Sequence, residues 1–481
     1  MVRIFKQYVP VVLLCLGAVE LLIVVLSIYA GIFIRYVLGA DQPWGFVTYL
    51  QETMTFAGVL GVAMFAMGLY QREFIRDLRT TFVRLATSFA VAFLGLSLVF
   101  YVFPDLKIWR SALAIAILLA VAGILATRFI VVRATNIDRL KRRVLVLGAG
   151  ARAARIEALD QNGNTSFVSV GYVPIDGSDA AVSPERVVGR VDLLGALVRQ
   201  QSVDEIVIAA EDRRGNLPNQ TLLECKLNGV TITPYATFWE RETGRVELDA
   251  LDPSWLIYSD GFGESPVQAI AKRLFDVSVS LALLLFALPL LVVAAVAIRL
   301  ESPGAVLYRQ ERVGRRGRPF RLLKFRSMRH DAEPDGVPKW AAEHDPRVTR
   351  VGAFIRKTRI DEIPQILNVL KGDMSFVGPR PERPYFVEEL GKEIPFYNER
   401  HRVKPGITGW AQLSYSYGAS VEDAKRKLGY DLYYLKNFSI LFDLIILVQT
   451  IRVVLWPESA RAICAPEAAG ATAEVKTRPA A

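Results

Sequence analysis

The chain has 481 residues, 52% of them apolar, a mean hydropathy of +0.29 and a formal charge of +10. That length accommodates two or three domains with cores of their own, and hydropathy this high argues against a wholly soluble protein. The basic excess fits contact with anionic lipid on one face of a membrane and gives no reason to invoke nucleic acid.

Three scattered cysteines (Cys15, Cys225, Cys464) and three histidines (His330, His344, His401) make no disulfide framework, zinc site or HExxH pattern. The first residues are basic and then apolar without a small-residue cleavage site, as in an anchor and not a removed signal peptide. Four apolar stretches follow, at about residues 11–34, 46–70, 81–103 and 111–132. Each approaches the ~20 residues of a bilayer-spanning helix, which makes residues 1–135 a four-helix transmembrane region. Arg3 and Lys6 precede the first stretch, Arg72, Arg76 and Arg79 lie between the second and third, and Arg84 stands at the start of the third. Arg133, Arg139, Lys141, Arg142 and Arg143 follow the fourth, while the opposite loops hold only Arg35, Lys107 and Arg110. This bias places the N-terminus and everything after residue 133 in the cytoplasm.

Residues 141–258 change texture to a small Rossmann-like, doubly wound α/β domain. RVLVLG (143–148) reads as a buried parallel strand running into a glycine turn, with further strands at 167–173, 205–210 and 230–235. Gly148, Gly150 and Ala153 fit G-x-G-x-x-A, a weak nucleotide-binding signal when alone. Only Asp176 approaches the position of a ribose-binding acid, so packing, assembly or regulation is the favoured use, including a homodimer interface. An NAD-dependent nucleotide-sugar-modifying enzyme would need Tyr-x-x-x-Lys, which Tyr172, Tyr235 and Tyr258 do not supply.

Residues 277–298 carry no charge and match the hydrocarbon thickness at ~1.5 Å per residue. Pro289 interrupts them, and both flanks are basic: Lys272 and Arg273 before, then Arg299 and nine Lys or Arg from Arg309 to Arg329. A re-entrant helix over 272–299, bent at Pro289 with both ends on one face, satisfies both flanks. Alternation around Gly314-Arg315-Arg316-Gly317 predicts a hairpin, whose Lys324 and Arg326 join its arginines as candidates for phosphate contact.

The segment 346–382 holds the chemistry. VTRVGAFIRK reads as a helix; Asp361 then stands where an N-cap belongs, and Pro364 falls in the first turn of a helix over 363–372. Taken alone, Asp361-Glu362 is a capping pair. Arg356, the proline-stiffened Arg380 and the Pro-Gly turn with Arg402 and Lys404 make it a phosphate site, in which Mg²⁺ would relieve the paired carboxylates.

KRLFD (272–276), KFRSM (324–328), DEIPQ (361–365), NVLKGDMSFVGPRP (368–381) and KPGITGWAQ (404–412) together resemble the bacterial sugar transferases known as monotopic polyprenyl-phosphate phosphoglycosyl transferases. The resemblance covers about 40% of the chain, and the remainder is similar to the large form of that family in exopolysaccharide, capsule and O-antigen pathways. It implies a membrane α plus α/β protein of the bacterial inner membrane, with a monotopic α/β catalytic domain over 266–456; the Ala/Pro-rich composition of residues 457–481 predicts a disordered tail. The resemblance implies that Asp361 attacks the β-phosphate of a UDP-sugar, expels UMP and passes the phosphosugar to undecaprenyl phosphate. Glu362, with Asp361, would bind Mg²⁺, and Arg356 and Arg380 would hold phosphate charge. One departure is Leu288 before Pro289, where relatives commonly carry Ser. A non-catalytic scaffold of polysaccharide assembly would have lost the Asp-Glu pair or the Gly-Pro-Arg-Pro loop, and both are intact.

Overall fold

The computed structural model describes residues 2–4, 7–9, 11–37, 49–70, 78–106, 108–134, 141–161, 165–175, 181–211, 217–251, 262–263, 265–329, 347–415 and 420–455. Arg72, Arg76 and Arg139, the ribose candidate Asp176 and the tail 457–481 lie outside the described residues. The chain divides into two compact units between Glu242 and Thr243.

The first unit begins with apolar helices α1 (Val11–Val37), α2 (Leu50–Ala66), α3 (Leu78–Val102) and α4 (Arg110–Ala134). α1, α3 and α4 contain segments long and apolar enough to cross a membrane, whereas the 17 residues of α2 fall short of the stretch read from sequence. Small residues set the α1–α4 seam: a Cβ on Gly31 would lie 2.6 Å from the Ala112 carbonyl, and one on Gly123 would lie 2.6 Å from Ile23 Cγ2. Across this seam Arg128 Nε donates to Glu20 Oε1 at 2.6 Å, and its Nη1 donates to the Leu69 carbonyl after α2 at 3.1 Å.

The same unit carries a parallel sheet of β1 (Arg142–Leu147), β2 (Phe167–Val173), β3 (Glu205–Ile208) and β4 (Thr231–Pro234), in the order β2-β1-β3-β4. The central strand β1 buries Val144 through Leu147 completely, as a strand covered on both faces must. Helices α5 (Ala151–Gln161), α6 (Leu194–Gln200), α7 (Asn219–Leu227) and α8 (Tyr235–Thr243) complete the α/β pattern. The strand order reverses beside β1, so the crevice at the carboxyl ends of β1 and β3 is where such a sheet would receive a ligand.

The second unit begins earlier than residue 258: Val246 N donates to the Gly429 carbonyl and Trp410 Nε1 to that of Gly244. Its longest element is α9 (Pro266–Glu301), a 36-residue helix opened by a Ser265–Gln268 capping box and continuing through Pro289. The antiparallel hairpin β5 (Leu307–Val313) and β6 (Pro319–Phe325) follows, turning through Arg316 in the left-handed conformation. Then come α10 (Arg350–Lys357), a 3-10 segment (Ile360–Gln365), α11 (Ile366–Lys371), β7 (Ser375–Val377) and α12 (Pro384–Glu393). Strand β8 (Gly406–Thr408) pairs in parallel with β7, and α13 (Trp410–Ser414), α14 (Val421–Lys436) and α15 (Ile440–Leu455) close the unit. Phe376, Leu432, Tyr434, Phe442 and Ile446 form its core, so α14 and α15 bury one face in the protein.

Candidate active site

The site is assembled where α10 ends. Thr349 caps α10 by accepting from Gly352 N, and Gly352 lies so close to the Ser327 carbonyl that a Cβ would come within 2.0 Å of it. Arg359 then adopts φ 60°, which reverses the chain and carries Asp361 and Glu362 into the 3-10 segment. This corrects the expectation of Asp361 as an N-cap: the turn opens on Arg359, no side chain caps it, and the α-helix starts only at Ile366, after Pro364. A left-handed arginine has no sequence signature that would have revealed this.

The two carboxylates occupy unequal environments. Lys324 Nζ and Arg380 Nη2 both donate to Glu362 Oε1, at 3.0 and 3.1 Å, and Arg359 approaches the same oxygen at 4.0 Å. Burial would raise the Glu362 carboxyl, but Arg380, Lys324 and Arg359 outweigh it and hold it far below the usual carboxylate range. Asp361 is 7% exposed; burial first, and the Glu362 charge second, push its carboxyl up, opposed by Lys324, Arg356 and Arg359. Burial likewise lowers the Lys324 ammonium against the pull of Glu362.

Backbone packing fixes Arg380. Gly378 N donates to the Thr408 carbonyl and Gly406 N to that of Pro379, each at 2.9 Å. A Cβ on Gly378 would stand 2.4 Å from the Lys404 carbonyl, and one on Gly409 would stand 2.2 Å from the Gly378 carbonyl. Gly378 and Gly409 are therefore steric requirements of the loop that presents Arg380. Asn368, which the sequence reading did not single out, accepts from Leu323 N and donates to the Arg321 carbonyl, tying α11 to the strand that bears Lys324.

Of the candidates, Asp361, Glu362, Lys324, Arg356 and Arg380 come together, with Arg359 added. Three others do not. Arg326 donates to the Pro303 and Ser302 carbonyls, closing the end of α9. Arg402 pairs with Glu399 beside the hairpin turn, where its carbonyl accepts from Arg315. The Lys404 ammonium lies near Gly372 and the Arg273 guanidinium at the end of α11. Basic character alone does not tell a phosphate ligand from a helix-capping arginine.

A sequence model described as bacterial sugar transferase matches residues 267–457, and one described as CoA-binding domain matches residues 65–232. The chain is 45% identical over 240 residues to a UDP-N-acetylgalactosamine-undecaprenyl-phosphate N-acetylgalactosaminephosphotransferase of Aeromonas hydrophila, covering 50% of this chain and 56% of the relative. It is 34% identical over 334 residues to an undecaprenyl-phosphate glucose phosphotransferase of Komagataeibacter xylinus, covering 68% and 61%. A UDP-glucose:undecaprenyl-phosphate glucose-1-phosphate transferase of Caulobacter vibrioides is 42% identical over 193 residues, which are 40% of this chain and 72% of that protein. The matched stretches thus span somewhat over half the length of the first two relatives.

The residues at the switch-point crevice do not fit a coenzyme phosphate. Ala151 N, at the start of α5 where a pyrophosphate would sit, donates to Glu211 Oε1 at 2.9 Å. A Cβ on Gly150 would meet that same oxygen at 2.9 Å. Gly148 has φ +125° and abuts the Ala209–Ala210 backbone, and Ala153 is fully buried, so the motif's small residues are closely packed.

Proposed function

The chain belongs to the bacterial sugar transferase family, and on that premise we propose that it transfers a sugar 1-phosphate from a UDP-sugar to undecaprenyl phosphate. The observation carrying this reading is the unequal pair: Glu362 bound by two cations, Asp361 buried beside it with its carboxyl pushed up. Two adjacent carboxylates in different environments suit two different tasks.

Asp361 attacks the β-phosphorus of the UDP-sugar. The bond from that phosphorus to the bridging oxygen breaks, and UMP leaves with the electron pair. Undecaprenyl phosphate then attacks the same phosphorus, which frees the Asp361 carboxylate and leaves a diphosphate-linked sugar. Splitting the exchange in this way replaces one difficult step by two easier ones. Arg380, Lys324, Arg356 and Arg359 supply positive charge where the phosphoryl oxygens pass. The hard oxygen donors of Asp361 and Glu362 suit Mg²⁺, which would neutralise diphosphate charge when bound there. Among the described residues no three His, Cys, Asp or Glu side chains cluster as a metal cage, in keeping with an ion shared with substrate oxygens and water.

We read α9 as re-entrant, with the catalytic unit on the cytoplasmic face of a bacterial inner membrane. Near its start Arg273 binds the Val369 and Leu370 carbonyls; near its end Ala294 and Ile298 pack on Phe325, Ile355 and Ile360. Glu301 accepts from Val351 N at 3.1 Å. Both ends thus contact the same unit, which favours their lying on one side of the bilayer. The middle of α9 exposes Leu285, Phe286, Leu288 and Val293, an apolar surface suited to lipid.

UMP release by the full-length protein in detergent, with undecaprenyl phosphate and a panel of UDP-hexoses and UDP-N-acetylhexosamines, tests the reading. Release with at least one sugar, abolished by EDTA and restored by Mg²⁺, is the expected result. Absence of UMP with every sugar would overturn it, and release undiminished by EDTA would remove the metal.

A further inference from the structure

KRLFD, at the start of α9, has no part in the chemistry above, yet its charged side chains turn into the protein. Successive residues on a helix point about 100° apart, so neighbours can reach different elements. Arg273 spreads its guanidinium over the end of α11, donating to the Val369 and Leu370 carbonyls at 2.6 Å each. Both carbonyls belong to the final turn of α11, where that of Val369 also accepts from Gly372 N at 3.0 Å. α11 continues directly from the 3-10 segment of Asp361 and Glu362, and its Asn368 clasps the β6 strand of Lys324.

Lys272 reaches the other way. Its Nζ donates to Asp443 Oδ2 at 2.6 Å and to the Val377 carbonyl at 3.3 Å. Asp276, one turn on, accepts from Ser375 Oγ and Phe376 N at 3.0 and 3.1 Å. Tyr434 Oη donates to Asp443 Oδ1 at 2.7 Å and also lies 3.0 Å from the Val377 carbonyl. Lys272, Asp276, Ser375 and Asp443 are all buried. Together they pin β7, which leads through Gly378 to Arg380.

We propose that Lys272, Arg273 and Asp276 are positioning residues that register two arms of the active site separately against the membrane helix. Arg273 sets the arm of Asp361, Glu362 and Lys324; Lys272 and Asp276 set the arm of Arg380. The arms meet at the Arg380–Glu362 contact. A buried ionic cluster adds little net stability, but its fixed hydrogen bonds define geometry. The inference rests on the reading of Asp361, Glu362 and Arg380 as the reacting group.

The test is hydrogen exchange by mass spectrometry on the full-length protein, alongside UMP release, for Arg273→Gln and Lys272→Met. Arg273→Gln should speed exchange of residues 361–372 at least about tenfold and leave 375–380 unchanged; Lys272→Met should do the reverse. Each should lower kcat at least about tenfold while KM for the UDP-sugar stays within about threefold. Leu274→Ala, in the same turn but 64% exposed, should alter neither readout. If both segments loosen together in either variant, or neither does, or kcat stays within about twofold, the proposal is overturned. Should the wild-type protein release no UMP, the functional reading fails, while the exchange pattern still decides between two separate arms and a general loss of structure.

Discussion

Arg380 Nη2 lies 3.1 Å from Glu362 Oε1, so the proline-stiffened loop and the 3-10 turn meet on a single carboxylate oxygen. Lys324 holds that same oxygen, which keeps Glu362 ionised and committed while Asp361 is shaped by burial. Asp361→Asn should therefore abolish UMP release, whereas Arg380→Ala should lower it about a hundredfold by removing one charge-stabilising donor. Single-turnover measurement of UMP checks both. Appreciable turnover by Asp361→Asn would strip Asp361 of the nucleophile role.

The pH dependence follows from the same asymmetry. Burial and Glu362 raise the Asp361 carboxyl above its ordinary value of about 3.9. The attacking form is the ionised one, so kcat/KM should fall as pH drops through this raised value. Lys324→Met removes a cation that opposes the shift and should move the acid limb to still higher pH. Glu362 acts on stability in the opposite sense. Its depressed carboxyl contributes stability that is fully present above the unfolded value of about 4.3 and is lost as pH falls towards the folded value. An acid limb at or below pH 3.9 in the wild-type protein would contradict the assignment of Asp361.

In the helical part of the first unit, Glu20 and Arg128 are 0% and 4% exposed and face each other across the α1–α4 seam. Removing one member leaves the other charge buried, so Glu20→Leu or Arg128→Leu should each cost about 3 kcal/mol. Replacing both should cost less than the sum, because neither charge then remains. Thermal unfolding in detergent measures the cycle, and additive losses would show that the pair is not coupled.

The sequence revealed the elements more readily than the contacts among them. Alternation and glycine spacing marked the β5–β6 hairpin and the parallel strands, because side-chain period and turn chemistry are local properties. Asp361-Glu362 and Arg380 were legible because prolines and glycines fix the loops that hold them. Arg326, Arg402 and Lys404 were not separable from the residues that gather around Asp361 and Glu362: whether an arginine meets a phosphate, a carboxylate or a helix end depends on tertiary packing. The left-handed Arg359 and the Asn368 clasp have no local signature. Nor does Glu211, whose carboxylate accepts from the Ala151 N–H that a phosphate bound at G-x-G-x-x-A would use.

That carboxylate leads to a prediction about the middle domain. With Glu211 accepting from Ala151 N, neither CoA nor NAD should bind saturably at concentrations up to about 1 mM in calorimetry on the full-length protein. Glu211→Ala should lower stability by about 1 kcal/mol, the usual cost of losing a helix cap. Tight binding of either coenzyme by the wild-type protein would show that Glu211 yields its place and that the crevice is a true site.

The topology of α9 can be read from its two ends. Val267 and Leu300 are 76% and 83% exposed, so cysteines there should react without disturbing the core. Residues 267 and 300 stand 33 positions apart, roughly 50 Å along a straight helix at ~1.5 Å per residue and ample to cross the hydrocarbon. A crossing would leave one end outside, yet Arg273 at one end and Glu301 at the other hold parts of the same unit. Val267→Cys and Leu300→Cys, each in a background with Cys15, Cys225 and Cys464 replaced by Ser, should both be shielded from a membrane-impermeant reagent added to intact cells. Both should label once the membrane is opened. Labelling of Leu300→Cys alone in intact cells would establish a span and move the catalytic unit's contacts with that end of α9 out of the membrane-bound protein.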